Sequence, residues 1–295
     1  GVHLGHQAML GELTRAARAR ELAACVLTFE PHPREFFAPD QAPVRLTSLR
    51  EKIELLAARG IDRLHVCRFN YELAQVSAPQ FIERVLVAGL GVRWLLVGDD
   101  FRFGARRAGN FVTLARAAPR FGFEVQAMDS VALDGERVSS TAVRNALAAG
   151  DLARAARLLG RPYSISGRVV RGDGLGRKLG FPTANVQMKH NRPPLSGIFA
   201  VEVFGAEDRV LRGAASLGVR PTVTERGRPV LEVYLLDYEG ELYGRHLRVD
   251  FLHKFRDEEK YADLAALTRQ IALDVENARA YFAGRDAGRA RRVTR

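Results

Sequence analysis

The periodicity of the chain changes once, at Gly160-Arg161-Pro162, and that change limits the folds open to it. Before this point short apolar runs alternate with amphipathic stretches. Cys25–Glu30, 64–68 and Trp94–Gly98 read as strands, whereas 7–20, 49–59 and 81–88 read as helices. Such alternation is the pattern of βαβ units on a parallel sheet, which carries its ligands at the carboxyl ends of the strands. After this point the helices stop. Tyr163–Val170, Gly197–Phe204, 211–216, 231–236 and 247–251 follow one another at strand length with Gly, Pro and charged turns between them, which predicts an all-β barrel. One long helix, 257–282, then carries Tyr261, Leu264, Leu267, Ile271, Val275, Ala278 and Phe282 on one face and is expected to pack on the barrel. The chain therefore divides into 1–159, 160–283 and a basic tail, 284–295, that is expected to be disordered.

The second half opens with RGDGLGRKLGFPTAN, residues 171–185. Gly172, Gly174 and Gly176 leave no Cβ atoms to hold an anion at a distance, and Arg177 and Lys178 supply the matching charge. The spacing fits neither a Walker A loop nor a dinucleotide fingerprint. A mobile glycine linker would account for the glycines but not for the residues from Leu179 to Asn185. Thr183 and Asn185 place a hydroxyl and an amide oxygen on one side of an extended segment, a pair suited to Mg²⁺ that keeps most of its waters. Glu232 is a lone carboxylate in the strand LEVYLL and is the candidate base, the alternative being an edge residue facing solvent.

Two stretches in the first half carry chemistry of the same kind. In GVHLGH, His3 and His6 flank Gly5 where a helix opens, and imidazoles at the positive end of a helix can hold phosphates and stabilise a departing pyrophosphate. A frayed, solvated terminus is the competing reading. Ser139, Ser140 and Thr141 precede a helix expected over 142–149, with Arg137 and Arg144 flanking them. Hydroxyls there are either ordinary caps or part of a triphosphate site.

The net charge of +11 raises nucleic acid as a partner. Its distribution argues against that. The tail holds five arginines against one aspartate, the remaining basic residues are scattered among acids, and no recognition-helix, zinc-finger or aromatic RNA-binding motif is present. Cys25 and Cys67 form neither a CxxC pair nor a cluster with histidine, so no disulfide framework or structural zinc is expected. The absence of a long apolar run or a signal pattern gives the expectation of a cytoplasmic protein with no membrane partner, and leaves a homo-oligomer open.

The blocks GVHLGH, TFEPHP, RLTSLREK, VGDDFRFG, VSSTAVR, LGRPYSISGRVVRGDGLGRKLGFPTAN, LGVRPTV and LEVYLLDY occur in the order found in the prokaryotic bifunctional riboflavin kinase and FMN adenylyltransferase family. The chain resembles that family over nearly its whole length. The resemblance implies a Rossmann-like α/β nucleotidyltransferase domain followed by a six-stranded kinase barrel with a terminal helix. It implies ATP, riboflavin, FMN and FAD as substrates or products, with Mg²⁺. By the same resemblance His3 and His6 match the histidines that hold ATP phosphates, and Ser140, Thr141 and Arg144 match the phosphate-binding motif. Asp100 and Arg137 fall where the family places further nucleotide contacts. Thr183 and Asn185 match the Mg-ATP residues of the kinase, and Glu232 matches its catalytic base.

Two features depart from the family pattern. Relatives carry a strand and a Gly-x-Phe-Asp turn ahead of the GVHxGH motif, so the expectation is an incomplete chain whose parent runs both reactions, with kinase activity alone as the alternative. Ser216 stands where many relatives place Asn, and a slight effect on flavin-site packing is expected.

Overall fold

The computed structural model describes residues 1–189, 192–220 and 228–293. Pro221 to Val223, the end of the LGVRPTV block, lie outside the described residues. The chain separates into two compact units, one built from Val2–Pro43 and Ile53–Val138 and the other from Gly1, Val44–Lys52 and Ser139–Arg295.

In chain order the first part of the sequence forms α1 (Leu4–Ala19), β1 (Cys25–Glu30), α2 (Pro33–Phe37), α3 (Leu49–Ala57), β2 (Arg63–Arg68), α4 (Tyr71–Gln75) and α5 (Ala78–Phe81). A π-helix (Ile82–Gly89) continues α5, and β3 (Trp94–Gly98), α6 (Phe111–Phe121), β4 (Glu124–Met128), β5 (Ala132–Leu133) and β6 (Glu136–Arg137) follow. β1 pairs in parallel with β2, and β3 in parallel with β4. The two ladders are separate, so β1 and β3 are each paired on one side alone among the described residues. Phe81, Ile82, Leu86, Val97 and Leu114 form the largest core of this unit, because the helices turn one apolar stripe each toward β1, β3 and β4. A smaller cluster of Val2, Leu10 and Leu56 seats α1 beside β1 and β2. β4 escapes the sequence reading because EVQAM is half polar. β5 and β6 form a hairpin across Asp134-Gly135, both at positive φ, as a two-residue Asp-Gly turn requires.

The other unit begins with α7 (Ser140–Ala148) and α8 (Leu152–Leu159) and continues as β7 (Tyr163–Val170), α9 (Leu175–Lys178), β8 (Thr183–Gln187), β9 (Gly197–Phe204), β10 (Leu211–Arg220), β11 (Arg228–Leu235), β12 (His246–Arg256) and α10 (Leu264–Val293). Six antiparallel strands close a barrel in the order β10-β11-β8-β7-β12-β9. Alternate residues fill its interior. Ile165, Phe199, Leu217, Leu231 and Leu247 are fully buried, and the Phe199 and Phe251 rings meet edge to face at 5.2 Å. On the outer face Ala200 and Ala214 leave room for Val275, Ala278 and Phe282 of α10.

Glu51 belongs to this unit and is buried. Ser48 and Glu51 form a reciprocal cap at the start of α3: Ser48 N donates to Glu51 Oε2 at 2.6 Å, and Glu51 N donates to Ser48 Oγ at 3.3 Å. Its other oxygen, Oε1, accepts Ser166 N at 2.7 Å and Ser166 Oγ at 3.3 Å. Ser166 lies on β7 beyond the last β7–β8 partners, Arg168 and Gln187. A carboxylate thus takes the place of a strand at that edge.

Three expectations need correction. The helix carrying Arg144 starts at Ser140 and not at 142, because Ser139 is its cap and accepts Ala142 N at 3.1 Å. The last helix starts at Leu264 and not at 257, because the Asp263 side chain accepts Ala266 N at 2.7 Å and stops the helix there. Tyr261 therefore precedes the helix, and Leu264 is exposed. The disordered tail expected from 284 is helical through Val293. Arginine and alanine favour helix, and Arg285 and Asp286 pair with Glu202 and Arg212 of the barrel strands.

Candidate active sites

A cavity of about 740 Å³ lies between the glycine-rich loop, the outer face of the barrel and α10. Its floor follows from strand register. Asn185 on β8 faces Glu232 on β11, Glu232 faces Ser216 on β10, Ser216 faces Ile198 on β9, and Ile198 faces Arg256 on β12. One line of partners therefore carries an amide, a carboxylate and a hydroxyl side by side, on strands roughly 4.8 Å apart. Thr183, two residues before Asn185, shares its face and pairs with Tyr234. All of these residues line the cavity, with Lys178 from α9. On the α10 side the wall is apolar, formed by Leu267, Ile271 and Val275.

The glycines act here by their lack of a Cβ. At Gly172 a Cβ would stand 2.5 Å from the Asn185 side chain, and at Gly176 it would stand 2.5 Å from the Phe181 carbonyl and 3.2 Å from Thr183 Oγ1. The loop can therefore lie directly against the polar pair. Gly174 adopts φ +68°, the left-handed conformation that starts the single turn of α9. Arg256 and the buried Asp274 close the rear wall through a forked pair, Nε to Oδ1 at 2.9 Å and Nη2 to Oδ2 at 2.6 Å.

In the parallel-strand unit, His3 is the N-cap residue of α1 and buried, and its ring lies 3.9 Å from that of His6. Gly5 makes the pairing feasible, since a Cβ there would come within 3.2 Å of the His3 ring and 3.6 Å of the Val138 carbonyl. Beside Val138, Arg137 donates to Asp100 at 2.9 Å, just past the carboxyl end of β3. His3, His6, Arg137 and Asp100 thus belong to one neighbourhood of this unit. Ser140, Thr141 and Arg144 belong to the other unit. There Ser140 and Thr141 occupy the first turn of α7, and Arg144 Nε donates to the Val44 carbonyl at 2.7 Å.

Sequence reasoning missed an aromatic cluster at the carboxyl ends of β1 and β2. Phe36 lies 5.4 Å from Phe69 and 5.1 Å from Tyr71, and Phe37 lies 5.7 Å from Phe69, while Phe37 and Tyr71 are 65% and 75% exposed. Exposed rings held edge to face by one another form a ready stacking surface. The signal was available in REFF and FNY, aromatic pairs that directly follow two strands.

A parallel α/β unit with histidines at a helix start, joined in one chain to a closed barrel with a glycine loop over a carboxylate, defines a two-domain transferase of nucleotide chemistry. Comparison with known proteins makes this specific. The FAD synthetase family model matches residues 1–142 and the riboflavin kinase model matches 159–282. Proteins of Pseudomonas fluorescens, Escherichia coli K12 and Haemophilus influenzae, each called bifunctional riboflavin kinase/FMN adenylyltransferase, are 50%, 49% and 45% identical to this chain. The alignments cover 96% of the chain and 90%, 90% and 91% of those proteins. A solved Streptococcus pneumoniae protein described as a macrolide-efflux protein shares the fold, with 27% identity, a TM-score of 0.77 and coverage of 94% of this chain and 90% of that one. Among the described residues no helix is long and apolar enough to cross a membrane. The chain belongs to the bifunctional riboflavin kinase/FMN adenylyltransferase family and carries both of its domains.

Proposed function

We propose that the barrel cavity phosphorylates riboflavin to FMN with ATP and that the parallel-strand domain adenylylates FMN to FAD with a second ATP. The observation that carries the kinase assignment is the register of Asn185, Glu232 and Ser216 on one outer face of the barrel, beside the glycine loop. Glu232 accepts the proton of the terminal ribityl hydroxyl as that oxygen attacks the γ-phosphorus of ATP. Lys178 and the backbone amides of 172–176 hold the phosphates, and the apolar face of α10 receives the isoalloxazine ring. Thr183 and Asn185 fit Mg²⁺, since they offer two neutral oxygens in a cradle that a Cβ at Gly172 or Gly176 would fill. Mg²⁺ bound there supplies charge neutralisation on the ATP phosphates.

In the other domain His3 and His6, at the start of α1, hold the phosphates and stabilise the departing pyrophosphate, while Arg137 and Asp100 contact the nucleotide. At the first turn of α7, in the other unit, Ser140, Thr141 and Arg144 offer hydroxyls and a guanidinium suited to phosphate. The flavin ring stacks on Phe36, Phe37, Phe69 and Tyr71. The FMN phosphate is already ionised near neutral pH, so that step needs positioning and charge stabilisation and no general base. We place the boundary between the domains at 159/160 and the protein in the cytosol, where Cys25 and Cys67 remain thiols.

Chromatographic separation of flavins tests both halves. With riboflavin, ATP and Mg²⁺, Glu232→Gln is expected to lower FMN formation by roughly 10² to 10⁴, the usual worth of a general base. With FMN and ATP, His6→Ala is expected to abolish FAD formation and leave FMN formation intact. FMN production by Glu232→Gln at the wild-type rate would overturn the kinase assignment, and a wild-type chain that makes no FAD would leave a kinase alone.

A further inference from the structure

Glu258, which lines the kinase cavity, has no part in the reaction just described. Residues 257–261 form a strap between β12 and α10, and Glu258 and Glu259 project from it into the cavity lining. Glu258 is seated in a definite place. Ser216 Oγ donates to its Oε1 at 3.0 Å, and its carboxylate occupies the volume that a Cβ at residue 218 would fill. Gly218 lies in strand β10, so this glycine serves space and not a special backbone angle. Ser216 and Gly218 are two residues apart on one face of β10 and together form the seat.

Strand order gives the seat its meaning. β11, which bears Glu232, runs between β8, which bears Thr183 and Asn185, and β10, which bears Ser216 and Gly218. The phosphate-binding groups are therefore on one side of the base and Glu258 is on the other, about one strand spacing away. A carboxylate offers only acceptors and has about four lone-pair sites, of which Ser216 uses one. It suits a neutral ligand rich in hydroxyls and repels a phosphate. We propose that Glu258 recognises the polyol chain of the acceptor: its carboxylate accepts hydrogen bonds from the secondary hydroxyls of the ribityl chain and so draws the terminal hydroxyl onto Glu232. This assignment rests on the kinase reading of the cavity. It makes Glu258 a specificity residue, because an acceptor aimed at substrate hydroxyls penalises analogues that lack them.

Binding of two flavins, followed by quenching of flavin fluorescence, tests the proposal. Riboflavin carries the polyol, and lumiflavin is the same ring system without it. Glu258→Ala is expected to weaken riboflavin binding about ten- to a hundred-fold, the worth of hydrogen bonds to a charged acceptor, with lumiflavin binding unchanged. Glu258→Gln, which keeps one acceptor oxygen, should fall between. Gly218→Ala, which fills the seat and displaces the carboxylate, should reproduce the Glu258→Ala pattern. In turnover the KM for riboflavin should rise and that for ATP should stay. Riboflavin affinity within about twofold of wild type in Glu258→Ala, or equal loss of both flavins in Glu258→Ala and Glu258→Gln, would overturn the proposal. A wild-type chain that binds no riboflavin and makes no FMN would instead remove the kinase reading beneath it.

Discussion

Replacing Asp274 by alanine should cost the barrel unit a large share of its stability. Asp274 is 4% exposed, takes both arms of the Arg256 fork, and accepts Gln270 Nε2 at 3.1 Å. The hydrogen bonds that Arg256 donates to Asp274 hold its guanidinium above its ordinary range, against the opposing effect of burial. Truncation leaves a partly buried guanidinium whose Nη1 still donates to the Asp257 carbonyl at 3.0 Å but whose carboxylate partner is gone. Breaking such a pair from one side costs about 3–5 kcal/mol, because the remaining charge has been taken from water without compensation. At roughly 2–4 °C per kcal/mol for a unit of this size, the melting temperature should fall by roughly 6–20 °C. Removing both partners with volume kept, as in Asp274→Leu with Arg256→Met, should restore most of that loss. Scanning calorimetry of the full chain separates the transitions of the two units. A loss below about 1 kcal/mol for Asp274→Ala would place the pair among solvent-screened surface pairs and refute the reasoning.

Two further outcomes follow from the same geometry. Gly176→Ala drives a Cβ into the Phe181 carbonyl, so the loop should shift from Thr183 and the KM for ATP should rise by about tenfold or more, as coupled assay of ADP release would show. Asp250 is buried, and desolvation raises its carboxyl above the ordinary 3.8 despite the nearby Arg248. Its contribution to stability is therefore present below pH 3.8 and lost as pH rises through the folded-state value, so urea midpoints should decline across that window in wild type and stay flatter in Asp250→Asn.

The barrel was readable from the sequence because its strands alternate or run apolar at strand length between Gly, Pro and charged turns, and Tyr163–Val170 and Gly197–Phe204 have the bounds expected of them. The short elements were not. α2 and α4 are five residues each, too brief for periodicity to register, and β4 lacks an apolar run. Asp263 could have marked the start of α10, since an aspartate directly before a run such as Leu264-Ala265-Ala266-Leu267 is a common cap. Thr183, Asn185 and Glu232 stood out as polar residues in apolar strands. Gly218 and Glu258 did not, and Ser216 did so only as a departure from its relatives, because the relation of the three depends on which strands are neighbours, and strand order is not local information. The charge of Arg144 is legible in the sequence, but the bond from its Nε to the Val44 carbonyl, 100 residues away, is not.

The docking of Glu51 on Ser166 bears on where this protein can be divided. A recombinant fragment beginning at residue 160 would carry all six barrel strands and the whole cavity between the glycine-rich loop and α10. It would nevertheless leave behind the residue that seals the rim of β7, 115 positions upstream. The bare Ser166 amide would then sit on an open strand edge, a template for pairing with a second fragment. Modular as its chemistry is, the kinase half is a poor candidate for expression by itself unless the peptide 44–52 is supplied or the exposed rim is redesigned with charge.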